Sequence, residues 1–305
     1  VRYRDLEAAL ERRDASREQF AAGVRRFIIG LAKKVLLSNV LAGAADAVFD
    51  QSPEYLTTSG AWLGVLCYTL HIYFDFSGYS DMAIGLGRLF GFELCENFRY
   101  PYSAASITEF WRRWHISLSS WFRDYVYLPL GGNRRGNIRT AINLLIVFVL
   151  CGLWHGASWT FLVWGLYHGG FLVLERLPLR MPRHALLRPI RHALTIVVVM
   201  IGWVFFRCET IRHAIRMLDV MFGAGTGHGW ADYWNRELAL VLAIGIVASM
   251  PVWPLARSWR DRWSASRGAA LVIEIIQMAV LVTLFALCIV SLAAGTFNPF
   301  IYFRF

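Results

Sequence analysis

Five near-continuous apolar runs, at about 60–76, 141–174, 193–206, 238–256 and 269–293, constrain this 305-residue chain more than any other feature. A helix needs roughly 20 apolar residues to cross a bilayer core, and several of the runs approach that length. One soluble core would not need five of them. The composition agrees, with 57% of residues hydrophobic and only 17% charged, where soluble domains carry about a quarter. A backbone in lipid must satisfy its own hydrogen bonds, so apolar runs of this kind become helices. The expected fold is all-α: a polytopic integral membrane protein of spanning, broken or re-entrant, and interfacial amphipathic helices.

The chain opens at Val1 and runs at once into "RYRDLEAALERRDASREQF", which has none of the layout of a removable signal peptide. Residues 1–305 are therefore expected to be the C-terminal part of a single transmembrane domain whose earlier spans lie upstream. Net charge is +10, almost all of it arginine placed between the apolar runs. Arginines flanking spans follow the positive-inside rule and meet anionic headgroups. No nucleic-acid-binding module accompanies them, so the expected partner is membrane lipid and not nucleic acid. On the same rule the arginine-rich linkers 175–192 and 257–268 belong on the cytoplasmic side, which puts the closing "FNPFIYFRF" outside. The five cysteines, Cys67, Cys95, Cys151, Cys208 and Cys288, are scattered without a C-x-x-C pair. That pattern predicts neither a zinc site nor a disulfide framework.

Ser16 with Gln19 makes a capping-box start, and Phe20, Val24, Phe27, Leu31 and Val35 follow at helical spacing. Arg25, Arg26 and Lys33 fall largely on the other face, which predicts an amphipathic helix lying on the membrane surface. Residues 60–76 predict the first span, with His71 and Asp75 four apart on one face. Both are costly at membrane depth unless they pair or line a wet cavity. In "SITEFWRRWHISLSSWFRDYVYLPLGG", a continuous helix would gather Trp111, Trp114, Leu118, Trp121, Phe122 and Tyr125 on one arc. Arg112, Arg113, Ser119, Ser120, Arg123 and Asp124 would take the other, with His115 at the border. This reads as an interfacial or re-entrant helix, stopped by Pro129 and Gly131-Gly132. The run 141–174 is too long for one ordinary span and is interrupted by "GLWHGAS". Either two short helices meet there as a hairpin or one helix is broken, and both place His155 in a protein-lined cavity.

Three familiar catalytic signatures are missing from the sequence: H-E-x-x-H, the phosphate-cradling G-x-x-x-x-G-K-[ST], and the G-x-S-x-G elbow. What remains is histidine among apolar runs: His71, His115, His155 and His168. A neutral imidazole is a competent general base for a hydroxyl nucleophile. A buried histidine that merely bonds a neighbouring helix is the plain alternative, and it is weakest for His155, which sits at the break.

The stretch "YFDFSGYSDMAIGLGRLFGFELCENFRYPYSAASITEFWRRWHISLSSWFRDYVYLPLGG", followed by "LCGLWHGASWTFLVWGLYHG", resembles the membrane-bound O-acyltransferases, nearest their bacterial alginate O-acetyltransferase branch. The likeness covers nearly the whole chain. It implies helices arranged around a central tunnel and a bacterial inner-membrane location. It also implies that His155, in the W-H-G motif, is catalytic and that His115, in the W-H-x-S-L-S motif, lies across the same chamber. No permanently bound cofactor is implied. Acetyl-CoA from the cytoplasm would be the acyl donor, and an extracytoplasmic polysaccharide, alginate first, the acceptor. Cellulose, peptidoglycan and D-alanylated teichoic acid are alternatives within the family, and periplasmic acetyl-transfer proteins are the implied partners. Arg112, Arg113, Arg134 and Arg135 suit the phosphates of coenzyme A or, equally, lipid headgroups. The ending Phe300-x-Tyr302-x-x-Phe305 resembles the terminal motif of a small partner protein in teichoic acid D-alanylation. Carried over, Tyr302 would relay the acyl group; otherwise it belongs to an interfacial aromatic belt. A different class, a transporter using His155, His115 and Asp75 as a proton relay, would favour repeated halves or paired breaks. The sequence shows one break and no repeat.

Overall fold

The computed structural model describes residues 16–177, 185–252 and 267–295, with residues 7, 10, 254, 256, 258 and 262 besides. Helix α1 (Arg17–Phe49) passes through a π-helical stretch at Lys33–Ser38, and α2 covers Thr58–Leu89. Two short helices follow, α3 (Ile107–Arg113) and α4 (Ile116–Phe122). Then come α5 (Gly136–His155), α6 (Trp159–Leu174), α7 (Arg188–Arg207) and α8 (Ile211–Asp219). The last two are α9 (Arg236–Ser249) and α10 (Arg267–Ala293). Among the described residues the only β pairing is an isolated bridge between Leu56 and His228. Among the described residues four helices are long and apolar enough to cross a membrane: Arg17–Phe49, Gly136–His155, Arg188–Arg207 and Gly268–Ala293.

Three expectations change. The predicted surface helix near the start is the first half of α1, a 33-residue helix of spanning length. Two of the three cations on its predicted polar face are paired: Arg26 with Asp81 and Glu96, both at 2.6 Å, and Lys33 with Asp81 at 2.7 Å, while Arg25 is exposed. The span predicted at 60–76 is the first part of a longer helix, α2, which continues to Leu89 and carries Asp75 and Asp81, the carboxylates that answer α1. The apolar run at 238–256 is not one unbroken helix: α9 ends at Ser249, and the chain bends at Met250 and turns at Pro251 before helix resumes at Val252.

The described residues fall into two compact units. One takes its residues from 1–42, 70–97 and 236–304, the other from 43–69 and 98–235. In the first, α1 and α2 approach at backbone contact: a Cβ on Gly30 would lie 2.6 Å from the Gly78 carbonyl oxygen. Beside that contact sits a buried polar quartet. Lys34 Nζ pairs with Asp75 Oδ1 at 2.5 Å, and Ser38 Oγ donates to Asp75 Oδ1 at 3.1 Å. Ser38 Oγ also lies 2.9 Å from His71 Nδ1. The predicted face of His71 and Asp75 is real, and its partners are the equivalent i, i+4 pair on α1. Charges at such depth persist only when paired in this way. Helix α10 packs against α1 through Cys288, Ala32 and Val35, while most of its remaining surface stays exposed and apolar.

In the second unit α5 and α6 form an antiparallel hairpin broken at residues 156–158, one of the two arrangements read from the sequence. Ser158 caps α6, its Oγ accepting from the Thr160 amide. Gly152 and Gly165 let the two helices touch, since a Cβ on either would come within 2.3 Å of the carbonyl oxygen of Phe161 or Phe148 respectively. Helices α7 and α3 both contact α6. An aromatic core of Phe110, Trp114, Trp164 and Trp203, each nearly or fully buried, joins these elements.

Candidate active site

His155 is the last residue of α5, so the helix end fixes where its ring stands. The ring is enclosed by Trp164 at 5.3 Å between centroids, Phe206 at 5.0 Å and Phe161 at 6.2 Å. The ring of Trp154, its chain neighbour, lies 4.9 Å away. Aromatic packing of this kind leaves a ring few ways to turn.

His115 arrives on a different support. The continuous helix expected over 111–125 does not form; the chain breaks at Trp114–His115 and restarts as α4. His115 adopts the left-handed conformation, with φ 46° and ψ 56°. Few non-glycine residues do so. Immediately before it Trp114 is buried against Phe110, Phe98 and Trp203 at 5.0–5.5 Å. The other end of α3 is held from α6: Glu175, just past the end of α6, accepts from the Ile107 amide at 2.5 Å and the Thr108 amide at 2.9 Å. It also accepts from the Thr108 hydroxyl at 2.6 Å. One carboxylate thus fastens the element carrying His115 to the hairpin carrying His155.

Between the two supports lies a cavity of about 100 Å³. Trp111, Trp114, His115, Leu118, Ser119 and Phe122 form one wall, and Val147, Phe148, Cys151 and His155 the other. The His115 and His155 rings both sit beside the half-exposed Trp154. Burial pushes the His115 imidazole down to about 3, and the neighbouring His155 adds to the effect, so the His115 ring is neutral at ordinary pH.

The remaining sequence-predicted residues distribute as follows. His168 is fully buried behind Trp111, boxed by Trp111, Trp164 and Tyr167, and does not line the cavity. His71 and Asp75 belong to the quartet on α1 and α2, and neither lines the cavity. Arg112, Arg134 and Arg135 are exposed. Arg113 is half-buried, with its guanidinium on Glu109 and Ser103. Tyr302 and its flanking aromatics lie outside the described residues. Sequence reasoning passed over Cys151 as a cavity residue and Glu175 as a tether. The i, i+4 spacing of Cys151 and His155 was a usable signal for the first. Nothing local marked Glu175, whose partners lie 67 and 68 residues away.

A cavity lined by two histidines on separate supports and by aromatics can hold a reacting carbonyl in mostly apolar surroundings beside a base. Comparison with known proteins bears on what reacts there. The model of the membrane-bound O-acyltransferase family matches residues 1–214. The chain is 41% identical over 332 residues to a probable alginate O-acetylase of Azotobacter vinelandii, covering all of this chain and 66% of that protein. A peptidoglycan O-acetyltransferase of Helicobacter pylori is 42% identical over 206 residues, covering 67% of this chain and 39% of its own. A teichoic acid D-alanyltransferase of Bacillus subtilis is 30% identical over 172 residues, 52% of this chain and 42% of that one. The chain spans just under two thirds of the Azotobacter protein's length.

Proposed function

This chain belongs to the membrane-bound O-acyltransferase family, and from that premise we propose that it transfers acetyl groups from a thioester donor to an oxygen acceptor. The observation that supports this reading most directly is the pairing of His115 and His155 in the lining of one cavity. In this reading His155 takes the proton of the acceptor hydroxyl, and the oxygen attacks the thioester carbonyl. The tetrahedral intermediate collapses, the carbon–sulfur bond breaks, and the departing thiolate takes the proton back from the imidazolium. A neutral His115 ring donates to the developing oxyanion through its N–H. The aromatic walls exclude water, which would otherwise take the acyl group. The cavity's volume of about 100 Å³ leaves room for an acetyl group between the two histidines.

The donor in this proposal is acetyl-CoA, approached by Arg112, Arg134 and Arg135. The acceptor is a polysaccharide outside a bacterial inner membrane, alginate before peptidoglycan because the alginate relatives match along the whole chain. Periplasmic acetyl-transfer proteins complete the delivery, with Tyr302 as the hydroxyl that carries the acetyl between compartments. The test uses the full-length protein in detergent or vesicles with acetyl-labelled CoA. His155→Ala should lower thioester turnover by a factor of at least about 10² while eluting and melting as a folded protein. Wild-type turnover in that variant would overturn the mechanism. In vesicles, Tyr302→Phe should retain thioester binding and lose polymer acetylation; full acetylation would return Tyr302 to a belt residue.

A further inference from the structure

His115 stands in a conformation its backbone does not prefer, and the structure shows what holds it there. The residue before the elbow's buried tryptophan is Arg113, and it is latched to the segment 99–103 by both main chain and side chain. Its carbonyl accepts from the Arg99 amide at 3.0 Å. Its guanidinium donates to Ser103 Oγ at 2.6 Å, to the Tyr100 carbonyl at 3.5 Å, and to Glu109 Oε1 at 2.5 Å. Tyr100 is itself left-handed, with φ 51°, and these two are the non-glycine residues of positive φ among those described. Arg113 therefore joins the two strained points of this region. Glu109 is held in turn, its other oxygen accepting from the Ala105 amide at 2.8 Å.

From this geometry we infer that Arg113 is a positioning residue, one that fixes the elbow so that the His115 ring points into the cavity. The inference rests on the acyl-transfer reading of that cavity. It gives Arg113 a role different from that of an arginine waiting for donor phosphates. An exposed cation would suit phosphate capture, as Arg112, Arg134 and Arg135 are placed to do. The Arg113 head group already has a carboxylate and a hydroxyl on different arms of its fork. Lysine places its donors on one nitrogen, so the fork geometry that seats the two partners on separate arms is lost.

The test compares Arg113→Lys, Arg113→Gln and Ser103→Ala in the full-length enzyme, with acetyl-CoA and with S-acetylpantetheine, a thioester donor without phosphates. A displaced catalytic ring costs turnover, so kcat should fall about 10- to 100-fold in both Arg113 variants, equally with the two donors. KM for acetyl-CoA should stay within about twofold, since no donor contact is lost. Ser103→Ala, which leaves the arginine and Glu109 in place, should lose kcat by several-fold in the same donor-independent way. If Arg113→Gln fails to fold, the other two variants carry the measurement. A raised KM for acetyl-CoA with normal handling of S-acetylpantetheine would overturn the inference and make Arg113 a phosphate ligand. Unchanged kcat in Arg113→Lys and Ser103→Ala would overturn it as well. Wild-type enzyme that turns over neither donor would fail the acyl-transfer reading itself, a result separate from either of those.

Discussion

A histidine in the left-handed region carries a backbone penalty of about 1–2 kcal/mol, so His115 keeps that conformation only because its neighbours determine it. Asparagine tolerates the same region far better than most residues, which makes His115→Asn a clean probe: the elbow survives and the imidazole goes. Protonation gives the variant a measurable signature. In the folded protein burial pushes the His115 ring down to about 3, while an unfolded histidine titrates near 6.5. Between those values the unfolded chain binds the extra proton, so stability falls as pH falls through that window and is fully present above it. An ideal group of this kind loses about 2 kcal/mol between about pH 7 and about pH 5. The wild-type melting temperature should therefore drop more over that interval than that of His115→Asn. Equal drops, measured by thermal unfolding in detergent, would show that the ring is not kept neutral by burial.

At the scale of elements, the α5–α6 hairpin positions His155, and its closeness depends on two glycines facing bare carbonyls. Gly165→Ala would bring a methyl to 2.3 Å from the Phe148 oxygen, which is backbone and cannot swing aside. On the same helix Gly170 has open space around its Cα. Overpacking costs about 1–3 kcal/mol, so Gly165→Ala should lower both melting temperature and thioester turnover. Gly170→Ala should leave both where they were. Matching effects in the two variants would mean that helix propensity, not hairpin contact, sets the outcome. This hairpin was legible in the sequence because 34 apolar residues exceed one span and "GLWHGAS" supplies the breakers. The elbow at His115 was not, since no glycine or proline stands between Trp111 and Leu128 to announce it. A helical wheel drawn through it assumed a continuity that the latch at Arg113 and the buried Trp114 override. The length of α1 was hidden for a related reason. Arg26 and Lys33 read as the polar face of a membrane-surface helix because their carboxylate partners, Asp81 and Glu96, lie 48 to 70 residues away.

For the molecule as a whole the open matter is direction, and the second unit contains enough to predict it. Helix α5 starts just after Arg134 and Arg135, and α6, antiparallel to it, ends at Leu174 before Glu175 and Arg176. Both ends thus lie on one side. The linker that follows, 175–192, holds Arg176, Arg180, Arg183, Arg188 and Arg191 against the single acid Glu175. The segment 207–236, beyond α7, sets Arg207, Arg212, Arg216 and Arg236 against Glu209, Asp219 and Asp232. The positive-inside rule therefore puts the hairpin's open ends in the cytoplasm and the segment after α7 outside. Helix α6 has 16 residues, about 24 Å at 1.5 Å each, which falls short of a core of about 30 Å. His155 then sits within the far half of the membrane. Glu175 holds α3 at the cytoplasmic end of α6, so the α3–α4 elbow reaches His155 from the cytoplasmic side, the side a cytoplasmic thioester would use. The check is single cysteines at Arg135, Arg176 and Glu209, all exposed positions, in a protein whose five native cysteines are replaced. A membrane-impermeant maleimide should label positions 135 and 176 only in inside-out vesicles, and position 209 only in right-side-out ones. Labelling of 135 and 176 from opposite faces would break the hairpin reading. Labelling of both from outside would invert the donor path, and the arginines could then no longer meet a donor made in the cytoplasm.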